Sequence, residues 1–322
     1  MSATTRPVEA GRPVRPVART KAGRTRGPVV DRFGRFVEVW LRSHSFLVYL
    51  FLYIPIIVVV VFSFNGTNRR VTQWDGLSLK WYATVLSDKT IQSFFFNSFI
   101  VAICTAIIST VFGTMAALGL QRAPKWFARP FEALTFISII VPEIVIALAT
   151  LVFFSTSWDI INPILGTKLT NGYHTIIAAH AVFNISLVML LVRARLSGMD
   201  RTHVEASFDL YGTPWRTFWQ ITFPQLLPAV VAGFLLSFTF SFDDYVITTF
   251  TTGAGTTTLP LYVFSTIRKG VTPATNAVAA IMLLITLTIL VVGQIAVARN
   301  SRRAGSRGTD AGMAAMITDQ NA

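Results

Sequence analysis

Four acidic side chains lie within long apolar stretches of this sequence, with no Lys or Arg among them: Glu132, Glu143, Asp243 and Asp244. A charged side chain is costly in an apolar environment, so residues of this kind usually have a function. Because all four are acidic, the simplest common role is a pathway for cations. Glu132 lies at the edge of its stretch, where a solvated carboxylate costs little, and we do not consider it further.

Glu143 and Asp244 are the leading candidates for this pathway. Glu143 lies about 12 residues, or roughly 18 Å, into its stretch and follows Pro142, whose kink would expose backbone carbonyls. The alternative for Glu143 is a hydrogen-bonded carboxyl at a helix contact. Asp244 ends a stripe of polar residues at helical spacing that includes Ser241. Asp243 points about 100° away from that stripe and ranks second, with a bracing role against another helix as its alternative.

The remaining polar residues suggest no catalytic or metal site. His180 and Asn184 share one face of their stretch, and an interhelical hydrogen bond is the expected role. The four histidines are scattered, and Cys104 is the single cysteine, so no metal-ligand spacing and no intrachain disulfide exist. The phosphate-binding sequence G-x-x-x-x-G-K-[ST] is absent as well. The chain is therefore predicted not to be an enzyme, and it binds no cofactor of its own.

The composition indicates the environment in which the acidic residues lie. Of 322 residues, 52% are hydrophobic and 13% are charged, and the mean hydropathy is +0.57. A water-soluble domain rarely has this balance, so the solvent is predicted to be a membrane. The net charge of +13 does not indicate nucleic-acid binding, because the basic residues lie at the flanks of the apolar stretches.

Six apolar stretches have the roughly 20 residues that a helix needs to cross a bilayer. They are Phe46 to Phe64, Phe94 to Leu120, Phe131 to Ser155, Tyr173 to Val192, Leu226 to Thr248 and Asn276 to Val297. Lipid offers backbone groups no partner, so all six are predicted helices of an all-α membrane protein. With the N-terminus taken as cytoplasmic, 21 of the 28 Lys and Arg residues lie on the inner side. This bias predicts that both termini are cytoplasmic.

The six stretches define a transmembrane domain over residues 45–298. Before it, residues 1–44 are predicted to be a disordered basic cytoplasmic tail, with an interfacial helix from about residue 31 whose partner is membrane lipid. After it, residues 299–322 are a predicted cytoplasmic tail.

The connection at residues 193–224, between the fourth and fifth stretches, is longer and more ordered than most helix links. Thr202 and Glu205 have the spacing of a capping box, and Gly212 with Pro214 can end the helix that they begin. A short amphipathic helix is therefore predicted within this connection.

One face of this predicted helix is apolar, with Val204, Phe208 and Tyr211 at helical spacing. That face needs either a lipid surface or another protein to cover it. Glu205 and Asp209 on the other face disfavour anionic lipid, so docking on a protein is the favoured reading.

The same connection resembles the EAA loop of ABC importer permeases. Glu205-Ala206-Ser207, Gly212 and Ile221-Thr222-Phe223-Pro224 follow the pattern E-A-A, then G, then I-x-L-P, with Ser207 and Phe223 as departures and slightly shifted gaps. The resemblance implies a type I importer permease fold. It also implies a coupling helix that docks in a cleft of an ATPase, and it carries that role to Glu205, Ala206, Gly212 and Pro224.

A narrower resemblance covers nearly all of residues 46–297. Residues 241–248, with Asp243, Asp244 and Tyr245, together with residues 141–145, 256–262 and 270–273, are similar to the second permease of spermidine/putrescine importers. Polyamines are cations, which agrees with the acidic residues, and the ring of Tyr245 would add cation–π attraction.

The resemblance implies a permease subunit in a bacterial inner membrane that imports a polyamine by alternating access. The implied partners are two ATP-binding subunits that bind ATP and Mg²⁺, a second homologous permease and an extracytoplasmic substrate-binding protein. The alternatives are another small solute in the same kind of importer, or an ATP-independent secondary carrier.

Overall fold

A computed structural model describes residues 32–67 and 73–295. Within these ranges the secondary structure is helical, apart from an isolated bridge between Asn65 and Leu77. The helices are α1 (Arg32–Ser63), α2 (Lys80–Ser87), α3 (Lys89–Arg122), α4 (Lys125–Ile140), α5 (Glu143–Leu165), α6 (Tyr173–Ser197), α7 (Thr202–Asp209), α8 (Pro214–Thr217), α9 (Phe223–Phe242), α10 (Val246–Thr251), α11 (Leu259–Ile267) and α12 (Pro273–Ile295). The predicted all-α class is confirmed. Of the predicted tails, residues 1–31 and 299–322 lie outside the described residues.

The described residues belong to two compact units that divide after Pro55. In the first, the N-terminal part of α1, Glu38 accepts a hydrogen bond from Arg42, and the rings of Trp40 and His44 stack with their centroids 5.5 Å apart. The predicted interfacial helix lies in this part of α1, and its contact with lipid stays a prediction. The second unit, from Ile56 onward, contains the helix core and the functional residues described below.

Six helical segments among the described residues are long and apolar enough to cross a membrane, as predicted. They run over Phe36–Ser63, Lys89–Arg122, Glu143–Leu165, Tyr173–Ser197, Pro214–Phe242 and Pro273–Ile295. The third and fifth differ most from the predicted bounds, and both differences change the position of an acidic residue.

The predicted third stretch, Phe131 to Ser155, is not one helix. Helix α4 ends at Ile140 and α5 begins at Glu143, with Val141 and Pro142 extended between them. Proline has no N–H to continue the helical hydrogen bonds, and it disfavours helical torsion angles in the residue before it. Glu143 is therefore the first residue of its helix. The prediction that it lies about 12 residues inside a helix is wrong.

The predicted fifth stretch, Leu226 to Thr248, is also interrupted. Helix α9 ends at Phe242, and a separate helix α10 begins at Val246. The carboxylate of Asp244 accepts hydrogen bonds from the backbone N–H groups of Ile247 and Thr248, at 3.3 and 2.8 Å. Because these bonds satisfy the first free N–H groups of α10, they favour a new helix start.

The core of the second unit is formed by α3, α6 and α9, which pack against one another. Val188 of α6 lies between two glycines of the neighbouring helices. A Cβ atom added at Gly113 of α3 would lie 2.8 Å from the Val188 Cβ, and one at Gly233 of α9 would lie 3.1 Å from its Cγ1. The two glycines therefore allow the three helix backbones to approach closely at this level.

The loop between α10 and α11 is fastened to two of these helices by Asn97 of α3. Its side-chain amide donates hydrogen bonds to the carbonyl oxygens of Gly255 and Thr257, at 3.1 and 2.8 Å. Its oxygen accepts a hydrogen bond from the hydroxyl of Tyr173, at 2.5 Å. The amide of this buried side chain therefore holds the loop, and its oxygen links α3 to the first residue of α6.

The same loop has a glycine that no other residue can replace without movement of the backbone. A Cβ atom at Gly253 would lie 1.7 Å from the carbonyl oxygen of Asn171. We expect Gly253→Ala to lower the free energy of unfolding by about 3 kcal/mol, since the clash is with main-chain atoms. Gly119→Ala is the control, because Gly119 is helical with open space around it and alanine favours a helix by about 1 kcal/mol. Thermal unfolding of the purified variants measures both, and equal melting temperatures would contradict the expectation.

Candidate functional site

Asp244 is the centre of a buried polar cluster where α6, α9 and α10 meet. Its Oδ2 atom accepts hydrogen bonds from the N–H and the hydroxyl of Thr248, both at 2.8 Å, and lies 3.0 Å from Nε2 of His180. Its Oδ1 atom accepts the hydrogen bond from Ile247. The carboxylate is therefore surrounded by donors and is only 4% exposed, a state typical of a residue that holds helices together.

His180 links α6 to both sides of the interruption after α9. Its Nδ1 atom lies 2.7 Å from the hydroxyl of Ser241, and its Nε2 atom is shared between Asp244 and the Thr248 hydroxyl, 3.1 Å away. Since a carboxylate only accepts hydrogen bonds, the proton on Nε2 points to Asp244. The interhelical hydrogen bond expected for His180 is present. The amide of Asn184 donates instead to the carbonyl oxygen of His180 in its own helix, at 2.9 Å.

Glu143 joins the same cluster from α5. Its carboxyl group lies close enough to that of Asp244 for the two acidic groups to interact electrostatically. The structure thus brings together Glu143, Ser241 and Asp244 of the predicted pathway.

Asp243 faces a different region from its neighbour in the sequence. Its side chain is exposed, and among the described residues no hydrogen bond or ion pair reaches its carboxylate. It borders a cavity of about 300 Å³ that is otherwise lined by apolar side chains and Thr286. Tyr245 lies near this cavity, with its ring stacked on Phe264 at a centroid distance of 3.9 Å. The predicted pathway residues therefore divide into the cluster around Asp244, in which Asp244 and Ser241 are buried and Glu143 is exposed, and the open carboxylate of Asp243.

Glu132, which the sequence excluded as a pathway residue, is paired with a basic residue. Its carboxylate lies 2.7 Å from the guanidinium of Arg193, which belongs to α6. The pair is partly exposed, so it contributes little to stability. Among the described residues, no three His, Cys, Asp or Glu side chains are placed to share a metal ion.

The predicted amphipathic helix between the fourth and fifth spans is α7. The capping box predicted for Thr202 and Glu205 does not form, since Arg201 occupies the N-cap position without a side-chain bond. Asp200 supplies a different start: it accepts hydrogen bonds from the hydroxyl and the N–H of Thr202, at 2.6 and 2.9 Å. These bonds hold the pKa of the Asp200 carboxyl below its usual value. Glu205 is exposed in the first turn of the helix.

The C-terminus of α7 has a residue in an unusual conformation. Tyr211 has φ 59°, the left-handed region that glycine usually occupies at this position. Its N–H donates to the carbonyl oxygen of Phe208, and that of Gly212 donates to Ser207, which is the hydrogen-bond pattern of a Schellman motif. Tyr211 therefore lies beyond the helix, and its predicted place on the helical face with Val204 is wrong.

Gly212 is needed for space and not for its torsion angles. A Cβ atom there would lie 2.5 Å from the hydroxyl oxygen of Ser207 and 2.6 Å from its carbonyl oxygen. The Ser207 hydroxyl also hydrogen bonds to that of Thr217, at 2.9 Å, which ties α7 to α8. Further along, Pro224 follows a π-helical turn at Phe218–Thr222. A proline N atom cannot complete the regular ladder, so the turn before it is widened.

The surface around Tyr211 is strongly apolar and exposed. Tyr211 is 96% exposed, Leu210 82% and Phe208 47%, while Val204 is half-buried. The sequence analysis did not identify Leu210, or Trp215 on α8, which is also exposed. We call Phe208, Leu210, Tyr211 and Trp215 the loop surface. A surface of this kind commonly marks contact with another protein.

Comparison with known families agrees with this architecture. The model of the family described as binding-protein-dependent transport system inner membrane component matches residues 109–306. The chain is 36% identical over 236 residues to the putrescine transport system permease protein PotI of Escherichia coli (strain K12), covering 73% of this chain and 82% of that protein. It is 34% identical over 259 residues to the spermidine/putrescine transport system permease protein PotC of Haemophilus influenzae, covering 80% and 96% respectively.

Solved structures share the fold at low sequence identity. One is a bacterial ABC transporter involved in the import of the acidic polysaccharide alginate, with a TM-score of 0.67 and 11% identity over 84% of this chain and 99% of that chain. Another is the MetNI methionine ABC transporter, with a TM-score of 0.52 and 17% identity over 64% of this chain and 93% of that one.

Proposed function

The chain belongs to the family of inner membrane components of binding-protein-dependent transport systems, and on this premise we propose that it is the permease subunit of an ATP-driven importer of polyamines. The relatives named above are permeases for putrescine and spermidine, which motivates the substrate class. The alternative within the family is another small solute, and an ATP-independent secondary carrier is the rival outside it.

The observation that carries the substrate class is the open carboxylate of Asp243 beside an apolar cavity. A polyamine is a methylene chain that ends in ammonium groups, so it needs both an anionic partner and an apolar surface for the chain. Tyr245 offers a ring face to the same cation. The cluster of Glu143, Ser241 and Asp244 then has the role of holding the Asp243 segment in place.

The loop surface is proposed to dock on the ATPase. Fixed by Gly212 and the Schellman motif, it presents large apolar side chains that have no core to enter. Glu205 and Ala206 are exposed on the preceding helix, and Pro224 lies in the first turn of α9, the helix that would receive the movement. If this surface docks in a cleft of the ATPase, the closing movement of the ATPase would be transmitted to α9 and would drive alternating access.

The proposed assembly contains this chain, a second homologous permease, two ATP-binding subunits that hold ATP and Mg²⁺, and an extracytoplasmic substrate-binding protein. The excess of Lys and Arg on one side supports cytoplasmic termini, with residues 1–44 and 299–322 as tails and residues 45–298 as the membrane domain. The loop surface is then on the cytoplasmic side, as docking requires.

The test is reconstitution of the complete importer in liposomes, with ATP hydrolysis and uptake measured for putrescine, spermidine and uncharged solutes of similar size. We expect the polyamines, delivered by the binding protein, to stimulate ATP hydrolysis and to accumulate only when ATP is present. If only an uncharged solute stimulated ATP hydrolysis, the chain would still be an importer subunit, but its substrate would not be a polyamine. Accumulation driven by a proton gradient without ATP would favour the secondary carrier.

A further inference from the structure

Among the described residues, seven buried side-chain polar atoms have no hydrogen-bond partner. Four of them are the hydroxyls of Thr105, Thr110, Thr114 and Thr258, and the other three come from three different helices that pack against one another. These three are Oδ1 of Asn184 in α6, Oγ of Ser237 in α9 and Oγ of Ser109 in α3. Asn184 is 2% exposed, and the two serines are 0% exposed. Buried polar groups are nearly always hydrogen bonded, so three orphans in one core need an explanation.

Two contacts fix the register of α6 against α9. His180 hydrogen bonds to Ser241, and Val188 is the side chain that a Cβ atom at Gly233 would meet. From the first contact to the second, the residue number rises by eight along α6 and falls by eight along α9. The two helices are therefore antiparallel. Asn184 and Ser237 lie midway between the two contacts, each one helical turn from both. Their side chains therefore lie at the same level on facing sides of the two helices.

Two further contacts fix α3 against α6. The side chain of Asn97 hydrogen bonds to Tyr173, and a Cβ atom at Gly113 would meet Val188. These helices are parallel, because the numbers rise together along both. Ser109 lies one turn before Gly113, as Asn184 lies one turn before Val188. All three orphan atoms therefore belong to one level of the bundle.

We propose that a single internal water molecule is bound at this level, hydrogen bonded to Asn184, Ser237 and Ser109. A buried water typically makes about three hydrogen bonds to groups that would otherwise be unsatisfied. The partners fit its chemistry, since the Asn184 oxygen accepts and each serine hydroxyl can donate or accept. Val188 packed between two glycines closes the site on one side, and the His180–Ser241 hydrogen bond closes it on the other.

A metal or ammonium cation fits this level less well than water. The three partner atoms are neutral, and the nearest acidic residue, Asp244, already accepts four hydrogen bonds from His180, Ile247 and Thr248. The side-chain amide nitrogen of Asn184 donates a hydrogen bond to the His180 carbonyl oxygen. The side-chain oxygen of Asn184 therefore points away from that carbonyl group. The water would therefore fasten α9 to α6 about two helical turns before the segment that carries Asp243 and Asp244.

The test is a set of double-mutant cycles on the complete importer in lipid nanodiscs, with the melting temperature as the readout. The variants are Asn184→Leu, Ser237→Ala and Ser109→Ala, singly and in all pairs. If one water bridges the three side chains, each single change removes the bridge and lowers the melting temperature by about 2–4 °C. Each pair then lowers it by little more than the larger single change.

A direct hydrogen bond between Asn184 and Ser237 would couple only that pair. The two cycles that include Ser109 therefore distinguish a shared water from a direct bond, and additive shifts in those cycles would overturn the proposal. Serine-to-alanine changes remove one atom, so the Ser109–Ser237 cycle remains measurable even if Asn184→Leu does not fold. Thr239→Val on α9 is the matched control, because that hydroxyl already bonds to the Leu235 carbonyl oxygen and should combine additively with Asn184→Leu. The readout is stability, so the result does not depend on which solute is carried.

Discussion

Asp243→Asn is expected to leave the protein as stable as the parent while polyamine uptake falls by about tenfold or more. The carboxylate of Asp243 is exposed and has no partner among the described residues, so folding gains nothing from its charge. A hydrogen bond between an ammonium group and a carboxylate is worth about 1.5–3 kcal/mol, or roughly tenfold to a hundredfold in binding. Uptake of radiolabelled putrescine into proteoliposomes and the melting temperature of the same preparation measure the two effects.

Asp244→Asn is the matched control, because the two aspartates are adjacent in sequence and opposite in environment. The Oδ2 atom of Asp244 accepts three of its hydrogen bonds. Both oxygens of Asp244 accept hydrogen bonds, so in either orientation the N–H₂ group of an asparagine would face at least one N–H or O–H donor. The hydrogen bonds at that position would be lost. We expect a loss of about 2–4 kcal/mol in the free energy of unfolding. Normal uptake by Asp243→Asn would reject Asp243 as a substrate contact, and normal stability of Asp244→Asn would reject the structural role of that carboxylate.

Tyr211→Gly is expected to weaken association with the ATPase while leaving the permease at least as stable. A non-glycine residue in the left-handed region costs about 1–2 kcal/mol, and glycine relieves that strain at an entropic cost of about 0.5–1 kcal/mol. Loss of a tyrosine that anchors a protein interface costs about 2 kcal/mol, or roughly thirtyfold in affinity, and the exposed Tyr211 ring is proposed to be such an anchor. Affinity of the ATPase for the reconstituted permease, measured beside the melting temperature, separates the two effects.

Leu77→Ala provides the control for this variant. Leu77 is 80% exposed and lies between the first and second spans, whereas Tyr211 lies between the fourth and fifth. Six successive spans place these two connections on opposite sides of the membrane. Leu77→Ala should therefore leave binding of the ATPase unchanged. Equal affinities of the parent and Tyr211→Gly would show that the loop surface has another partner.

The sequence determined the number and type of the membrane spans, because length and apolarity decide whether a helix can cross a bilayer. It also located the organised connection between the fourth and fifth spans, since its residues follow a pattern of fixed spacing. The details of that connection were not predictable in the same way. Thr202 and Glu205 had the spacing of a capping box, but Asp200 was free to make competing bonds to Thr202. Tyr211 was placed on a helix that ends before it.

What only the tertiary structure decided is which polar side chains have partners. Glu143, Asp243 and Asp244 are all acidic residues in apolar stretches, and the sequence favoured Glu143 and Asp244 over Asp243 as pathway residues. The interruptions at Pro142 and after Phe242 place Glu143 and Asp244 in one cluster with His180 and leave Asp243 open. Apolarity is a property of a segment and can be read locally, whereas hydrogen bonding joins residues that are far apart in the chain. Those partners become known only when the helices are packed in register.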